Sequence, residues 1–163
     1  MGELNIIDDL IAPADRIKIK YTGTEPVAIM GMAPDMIKTI MKISSKDLLE
    51  TDIRWDVSSD PNEFYGVWMG KRGEDAWSKT YLRVIVQGFQ HSKEKTGWFV
   101  VEIKGTLETK YEFSNFIQRG FWWTYNLAFY YKQRRNYLEM GKDNIYEMRD
   151  FILNKFKINK AEE

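Results

Sequence analysis

Polar and apolar residues alternate with a period of two over much of residues 47–113. Successive side chains of an extended strand point to opposite faces, so this period indicates strands with one buried face. Sequences rich in Gly, Ser, Asn and Pro interrupt the alternation and are typical of turns. The pattern predicts four consecutive antiparallel strands, at residues 47–57, 64–69, 79–89 and 98–113.

The alternation also assigns the faces of the first and last of these strands. The predicted buried face of the first strand carries Leu49, Thr51, Ile53, Trp55 and Val57. That of the last strand carries Phe99, Val101, Ile103, Leu107, Tyr111 and Phe113, opposite a row of Glu and Lys. We therefore expect a sheet with one apolar and one charged face.

The residues before this sheet predict shorter elements. Leu4, Ile7 and Ile11 recur at helical spacing and predict a short amphipathic helix or docking arm within residues 1–15. Residues 17–21 alternate and predict a strand. A short helix is then expected to begin at Pro34-Asp35, because Pro and an acidic residue suit the first helical turn.

After the sheet, residues 116–131 read FIQRGFWWTYNLAFYY and predict a helix with aromatic residues on two sides. At 100° per residue, one side, assigned to the sheet, carries Phe116, Gly120, Trp123, Leu127, Tyr131 and Leu138. The other side carries Trp122, Tyr125 and Phe129. We expect Ser114 or Asn115 to cap this helix, Gly141 to break or bend it, and residues 157–163 to form a solvated tail.

Composition narrows the class of protein. The chain has 163 residues, the size of one domain, and 24 basic against 24 acidic residues, so no overall charge favours nucleic acid. It has no cysteine and its start lacks the pattern of an export signal, which favours a cytoplasmic protein. Its longest uncharged aromatic stretch, residues 120–131, is too short to cross a bilayer.

The order of elements resembles the helix-grip fold of the START and Bet v 1-like (SRPBCC) superfamily. The resemblance covers nearly the whole chain and rests on the Pro34-Asp35 helix start, the long strand at residues 98–113 and the terminal helix. It implies an α+β fold, in which a curved antiparallel sheet grips a long C-terminal helix. It further implies a cavity between sheet and helix for a lipid or other apolar molecule.

The first hypothesis for function is accordingly the binding of an apolar small molecule in this cavity. The alternative, which these residues favour slightly, is that the aromatic side chains simply fill the core. Apolar or aromatic lining is expected from Ile53, Trp55, Phe99, Val101, Ile103, Trp123 and Leu127. Polar anchors are expected from Thr51, Thr109 and Tyr111.

A second hypothesis concerns the outer side of the helix, at Trp122, Tyr125 and Phe129. The N-terminal arm could cover these rings; otherwise they predict a homodimer interface or peripheral membrane contact. A third hypothesis, a polyketide cyclase-like enzyme acting through Tyr111, follows from the resemblance alone.

Other chemistry has less support in the sequence. His91 is the one histidine and lies in a hydrophilic stretch, so we expect a solvated turn rather than a catalytic base. One histidine and no cysteine predict no zinc site, and nothing predicts a cofactor. The sequence favours a binding protein over an enzyme.

Overall fold

Strands occupy the start and middle of the chain, and a long helix occupies its end. The computed structural model describes residues 1–159, and within them the strands are β1 (Gly2–Asp9), β2 (Ile17–Thr24), β3 (Leu48–Asp56), β4 (Asn62–Gly73), β5 (Ser78–Gln90) and β6 (Thr96–Phe113). The helices are α1 (Ala28–Met41), α2 (Phe116–Tyr125) and α3 (Tyr131–Phe156). A π-helical turn (Asn126–Tyr130) joins α2 to α3, so residues 116–156 form one helix of 41 residues.

The six strands form one open antiparallel sheet in the order β1-β6-β5-β4-β3. β2 pairs with the first half of β6, at Thr96–Ile103, and β1 with its second half, at Thr106–Phe113. Both pair along the same edge of β6, so β1 and β2 act as one interrupted strand. The predicted α+β fold, an antiparallel sheet against a long C-terminal helix, is confirmed.

The core lies between the sheet and the helices. Alternate residues of β6 face inward, and Phe99, Val101 and Ile103 are fully buried, as the period of two predicts. The covering residues recur at helical spacing on two elements. They are Ile29, Ala33, Ile37 and Met41 on α1, and Ile145, Met148 and Ile152 on α3.

Of the two predicted effects of Gly141, a break in the helix is wrong, and a bend stays a prediction. α3 runs unbroken through it, and a Cβ atom there would lie 2.9 Å from the Cδ atoms of Leu10. The glycine therefore lets the buried side chain of Leu10 approach the helix backbone closely. The predicted cap is confirmed at Asn115, whose side chain accepts a 2.8 Å hydrogen bond from the N–H of Gln118.

The N-terminal arm is a strand rather than a helix. Residues 2–9 alternate between half-buried and exposed and pair with β6 along their whole length. Leu4, Ile7 and Ile11 happen to fit a helical period, but the open edge of β6 offers hydrogen bonds that a short helix would forgo. In this register Leu4 is opposite Tyr111, on which Trp122 stacks, whereas Phe129 stays exposed.

α1 begins at Ala28, so the predicted start at Pro34-Asp35 is wrong, and Pro34 lies inside the helix. An internal proline costs a helix about 3 kcal/mol. Here Ile29 and Ala33 ahead of Pro34, and Ile37 after it, are completely buried. Burial of these side chains offsets the cost, since a buried aliphatic side chain contributes about 1.5–3 kcal/mol.

The predicted buried face of β3 is also wrong. A bulge between Glu50 and Asp52 shifts the register, so Leu49 pairs with outward-facing Met69 whereas Ile53 pairs with inward-facing Gly66. β3 is an edge strand, and its large apolar side chains remain about half exposed. Within the predicted tail, Ile158 packs against the core, and residues 160–163 lie outside the described part of the chain.

Candidate functional site

The first half of the long helix, residues 116–131, exposes a large apolar surface; we call it the aromatic half-helix. Its most exposed apolar side chains are each between 67% and 83% exposed, and they are Phe116, Ile117, Phe121, Leu127 and Phe129. Large exposed apolar patches on a folded protein mark sites of interaction. This surface is therefore the first candidate for function.

One stripe of the helix faces the sheet, and it consists of Trp122, Asn126, Tyr130 and Arg134. These residues are spaced by four, which slightly exceeds one α-helical turn, so the stripe would drift around a regular α-helix. The π-helical turn is wider and rotates the later residues back. The turn thus keeps all four side chains on the sheet side.

Aromatic rings fill the space beneath the aromatic half-helix. Trp122 stacks on Tyr111 of β6 with ring centroids 5.1 Å apart. Trp77, in the turn before β5, meets Tyr130 edge-on at 5.2 Å and Tyr125 at 6.0 Å. This cluster holds the half-helix against the end of the sheet, separately from the aliphatic core under α3.

A buried chain of hydroxyl groups lies next to the rings. Tyr130 donates a 2.7 Å hydrogen bond to Asp75 Oδ2, and its oxygen is 2.6 Å from Ser78 Oγ. Ser78 Oγ is 2.8 Å from Thr109 Oγ1, which accepts a 3.2 Å hydrogen bond from Arg134 Nε. Each hydroxyl can donate once and accept once along this chain, so the buried polar groups satisfy one another.

The pKa values of Tyr130 and Asp75, at one end of this chain of hydroxyl groups, are shifted in the folded protein. Burial raises the pKa of the Tyr130 hydroxyl well above its usual value, and the neighbouring Asp75 carboxylate adds to the rise. Burial alone would raise the pKa of Asp75, but hydrogen bonds from Tyr130 and from the N–H groups of Trp77 and Ser78 lower it overall. Asp75 is therefore charged and Tyr130 neutral near neutral pH.

Arg134 ends the chain of polar groups and ties three elements together. Its guanidinium pairs with Asp8 of β1 and also reaches Thr109 of β6. The sequence alone does not predict this cluster. The available signal was the hydroxyl side chains Ser78, Thr80 and Thr109 at inward-facing positions of otherwise apolar strands.

The exposed part of the aromatic half-helix carries only positive charge. No Asp or Glu occurs between Phe113 and Leu138, whereas Arg119 is exposed in the aromatic half-helix and Lys132 directly after it. Arg135, further along, pairs with Glu139 at 3.4 Å. Arg119 lies over the Phe113 ring at 5.8 Å. The surface therefore combines aromatic side chains with cations and lacks acids.

The predicted ligand-binding residues do not surround one cavity. Phe99, Val101, Ile103 and Thr109 are fully buried on the inner face of β6, and Tyr111 packs under Trp122. Thr51, Ile53 and Trp55 are exposed on edge strand β3, where Thr51 donates a 3.2 Å hydrogen bond to the Val67 carbonyl. The structure thus divides the set between a packed interior and an exposed edge.

The predicted faces of the aromatic half-helix are wrong. Trp122, assigned to the outer side, is only 4% exposed, whereas Leu127, assigned to the sheet, is 74% exposed. Trp123 is also turned outward, and Tyr125 is half exposed beside Trp77. The projection favours the most apolar stripe, but Arg134 is buried on the sheet side beside Asp8 and Thr109, and the π-helical turn buries Asn126 in the same stripe. Phe129, assigned to the outer side, is exposed as predicted.

His91 is partly exposed, with Nδ1 3.7 Å from Asp60 Oδ1. Residues 1–159 contain no cluster of three or more metal-binding side chains. Over the same range, no helix is long and apolar enough to cross a membrane.

Comparison with known proteins leaves the family open. No protein-family model matches the chain, and no curated protein matches it. A protein of unknown function from Staphylococcus aureus is similar over 97% of this chain and 98% of its own, with 10% identity and a TM-score of 0.28. An uncharacterised protein from Rhizobium leguminosarum is similar over 91% and 97%, with 9% identity and a TM-score of 0.21. Scores this low carry no argument, although the antiparallel sheet with its C-terminal helix is compatible with a helix-grip fold.

Proposed function

We propose that this chain is a peripheral membrane-binding protein that docks on anionic lipid surfaces through its aromatic half-helix. One observation carries the proposal. Residues 116–131 bury a single stripe against the sheet and leave large apolar side chains exposed, among them Phe116, Leu127 and Phe129. A helix turned toward water needs only one apolar stripe, so the exposed side chains require another surface.

The size of the surface supports a docking role. Large aromatic side chains each present roughly 150–250 Å². The exposed rings and aliphatic groups of the aromatic half-helix therefore offer on the order of 1,000 Å², whereas the largest apolar patch of a typical monomer is about 300–600 Å². Isolated exposed side chains need no explanation, but this many large apolar ones within residues 116–131 do.

Charge favours an anionic lipid surface over a second copy of the chain. Two aromatic half-helices packed together would bring Arg119 and Lys132 of both copies close to one another, with no acid between residues 113 and 138 to compensate. Anionic headgroups instead attract each exposed Lys or Arg by about 1 kcal/mol. Trp and Tyr also suit the depth of the headgroups, because they combine an apolar ring with a polar group.

Membership of the START and Bet v 1-like superfamily remains part of the proposal. In this arrangement α3 closes the core, and the aromatic half-helix extends the same helix as a docking element. The binding of an apolar molecule between sheet and helix stays a prediction, as does cytoplasmic location.

Vesicle co-sedimentation tests the proposal. We expect the protein to bind vesicles of phosphatidylcholine with phosphatidylglycerol, to bind vesicles of phosphatidylcholine alone much more weakly, and to dissociate as salt is raised. The double variant Leu127→Ser/Phe129→Ser should lose about tenfold or more in partitioning, since each side chain contributes at least about 1 kcal/mol when buried.

Matched controls keep the result interpretable. The variant Met140→Ser/Phe151→Ser removes two apolar side chains that are 41% and 43% exposed on α3, outside the aromatic half-helix, and should partition like the original protein. Light scattering after gel filtration measures the number of subunits. The proposal is wrong if the original protein is a dimer that does not bind vesicles and Leu127→Ser/Phe129→Ser makes it a monomer. That outcome would assign the surface to a second copy.

A further inference from the structure

A separate cleft of about 470 Å³ opens at the other end of the sheet, beside the beginning of β6. It lies on the outer face, opposite the helices, because Trp98 alternates with inward-facing Phe99. Trp98 and Tyr111 are separated by thirteen residues of one strand, or about 40 Å. The cleft is thus remote from the aromatic half-helix, and its volume is in the range of sites for small organic ligands.

Strand pairing builds the cleft from two parallel rows. In the first row Asp56, Glu63, Phe89 and Trp98 are directly opposite one another on β3, β4, β5 and β6. In the second row Arg54, Tyr65 and Gln87 are likewise opposite one another, two residues further along the same face. The register therefore places two carboxylates at one end of a wall of aromatic side chains.

The aromatic side chains form a corner rather than a flat stack. The rings of Phe89 and Trp98 have centroids 5.4 Å apart and planes 75° apart. Gly88 and Gly97 allow the backbones of β5 and β6 to meet closely here, since a Cβ atom at either position would lie about 2 Å from a carbonyl oxygen of the neighbouring strand. Both residues line the cleft, so a ligand there can contact the two rings at once.

The charges in the cleft favour a cation. Arg54 is held by both oxygens of Asp52, at 3.1 and 2.7 Å, so its charge is already compensated. Asp56 and Glu63 then remain as net negative charge. Hydrogen bonds from the Ser58 hydroxyl and N–H lower the pKa of Asp56, which keeps it ionised. The structure also contains one cation–π contact at this site, with the Arg54 guanidinium 5.5 Å from the Tyr65 ring centroid.

We propose that this cleft binds a small organic cation, a quaternary or alkylated ammonium compound, between the Phe89–Trp98 corner and the carboxylates of Asp56 and Glu63. Aromatic faces attract ammonium groups through their negative π surface, and the attraction is strongest for tryptophan. The nearby carboxylates supply the compensating charge. An anion would meet the two carboxylates, and a neutral sugar would leave them without an ionic partner.

The proposal is tested with choline and its neutral isostere 3,3-dimethylbutanol, titrated into the full chain. Binding is measured by calorimetry, and the indole N–H signal of Trp98 is followed by NMR. We expect saturable choline binding that shifts the Trp98 signal, and binding of the isostere about tenfold weaker or more. Equal affinity for both compounds would overturn the proposal, because it would indicate an apolar pocket without preference for charge.

Substitutions locate the site and keep the test independent of folding. Glu63→Gln and Asp56→Asn keep the shape of exposed side chains and should each weaken choline binding about three- to tenfold, and Trp98→Leu should abolish it. Glu112→Gln, on the same face at the far end of β6, should leave the affinity unchanged. Unchanged affinity in both Glu63→Gln and Asp56→Asn would refute the site, as would the absence of saturable choline binding. Phosphatidylcholine headgroups also carry a quaternary ammonium group, so Trp98→Leu is included in the vesicle assay. Unchanged partitioning of Trp98→Leu there separates these results from those for the aromatic half-helix.

Discussion

Asp75 joins the turn before β5 to the helix, through one carboxylate. Its Oδ1 accepts 2.8 Å hydrogen bonds from the N–H groups of Trp77 and Ser78, and its Oδ2 accepts one from Tyr130. Hydrogen bonds to charged groups contribute more than those between neutral groups, about 1.5–3 kcal/mol each. This residue therefore supports both the aromatic cluster and the position of the π-helical turn.

We predict that Asp75→Asn lowers the free energy of unfolding by about 1–3 kcal/mol at neutral pH. The pKa of Asp75 is lower in the folded state than in the unfolded state, where it is about 3.9. The charge of Asp75 therefore stabilises the fold fully at pH values above the unfolded-state pKa. This contribution is lost as the pH falls through the folded-state pKa. The difference between the two proteins should consequently shrink in acid. Denaturant unfolding at several pH values measures it.

The control for this prediction is Asp143→Asn, which changes an exposed carboxylate on α3. Its effect should stay within about 0.5 kcal/mol at neutral pH. A constant difference between Asp75→Asn and the original protein, from neutral pH to below pH 3, would show that the charge of Asp75 does not contribute as argued.

At the scale of elements, the π-helical turn determines which residues of the helix are buried. It carries Asn126, whose Oδ1 is buried and has no hydrogen-bond partner within residues 1–159, and the same holds for Trp122 Nε1 one turn earlier. A buried acceptor without a partner costs about 1–3 kcal/mol. The π-helical turn thus lowers the stability of the fold locally, and the aromatic contacts of Trp122 and Tyr130 offset this cost.

We predict that Asn126→Leu raises the free energy of unfolding by about 1 kcal/mol, because it removes the unpaired acceptor and adds apolar area against the ring cluster. Asn136→Leu makes the same change at an exposed position of α3 and should shift stability by less than about 0.5 kcal/mol. Thermal and denaturant unfolding compare the variants. Destabilisation by Asn126→Leu would mean that the amide has a structural role.

The elements also show what the sequence predicts and what it does not. The period of two predicts β5 and β6, because neighbouring strands on both sides impose a regular pleat. Residues 64–69 are predicted as a strand from the turns on either side, and β4 extends beyond them at both ends. β3 lies at an edge and its bulge is invisible to a periodic pattern, which is why Leu49 and Ile53 were placed on one face. The prediction of which helix face is buried is wrong for a related reason. The π-helical turn and the burial of the polar residue Arg134 both depend on contacts with other elements.

The candidate site was predicted only in part. The unusual aromatic content of residues 116–131 pointed to an interaction surface, and the exposure of Phe129 agrees with that expectation. The cleft at Trp98 was not predicted, because Asp56, Glu63, Phe89 and Trp98 are scattered along the chain and meet only through strand register. The residues of such a row can be identified only when the pairing of the strands is known, and the sequence of a single strand does not give that pairing.

On the scale of the whole molecule, the long helix joins two regions of different stability. Ile145, Met148 and Ile152 of α3 are fully buried in the aliphatic core, whereas α2 is attached to the sheet mainly through Trp122 and its ring contacts. Segments with few buried contacts open more readily than the core to which they are connected. We therefore predict faster hydrogen exchange for amides of residues 118–125 than for those of residues 145–153, with opening free energies lower by several kcal/mol.

Hydrogen exchange in the presence of vesicles tests which part of the molecule contacts the membrane. If the aromatic half-helix inserts among headgroups, anionic vesicles should slow exchange in residues 118–131 and leave residues 145–153 unchanged, since only the first region gains a new environment. Mass spectrometry of peptides after exchange measures both regions in one experiment. Uniform exchange along the helix without vesicles would contradict the proposed division into core and docking halves. Protection spread over the sheet would place the membrane contact elsewhere on the molecule.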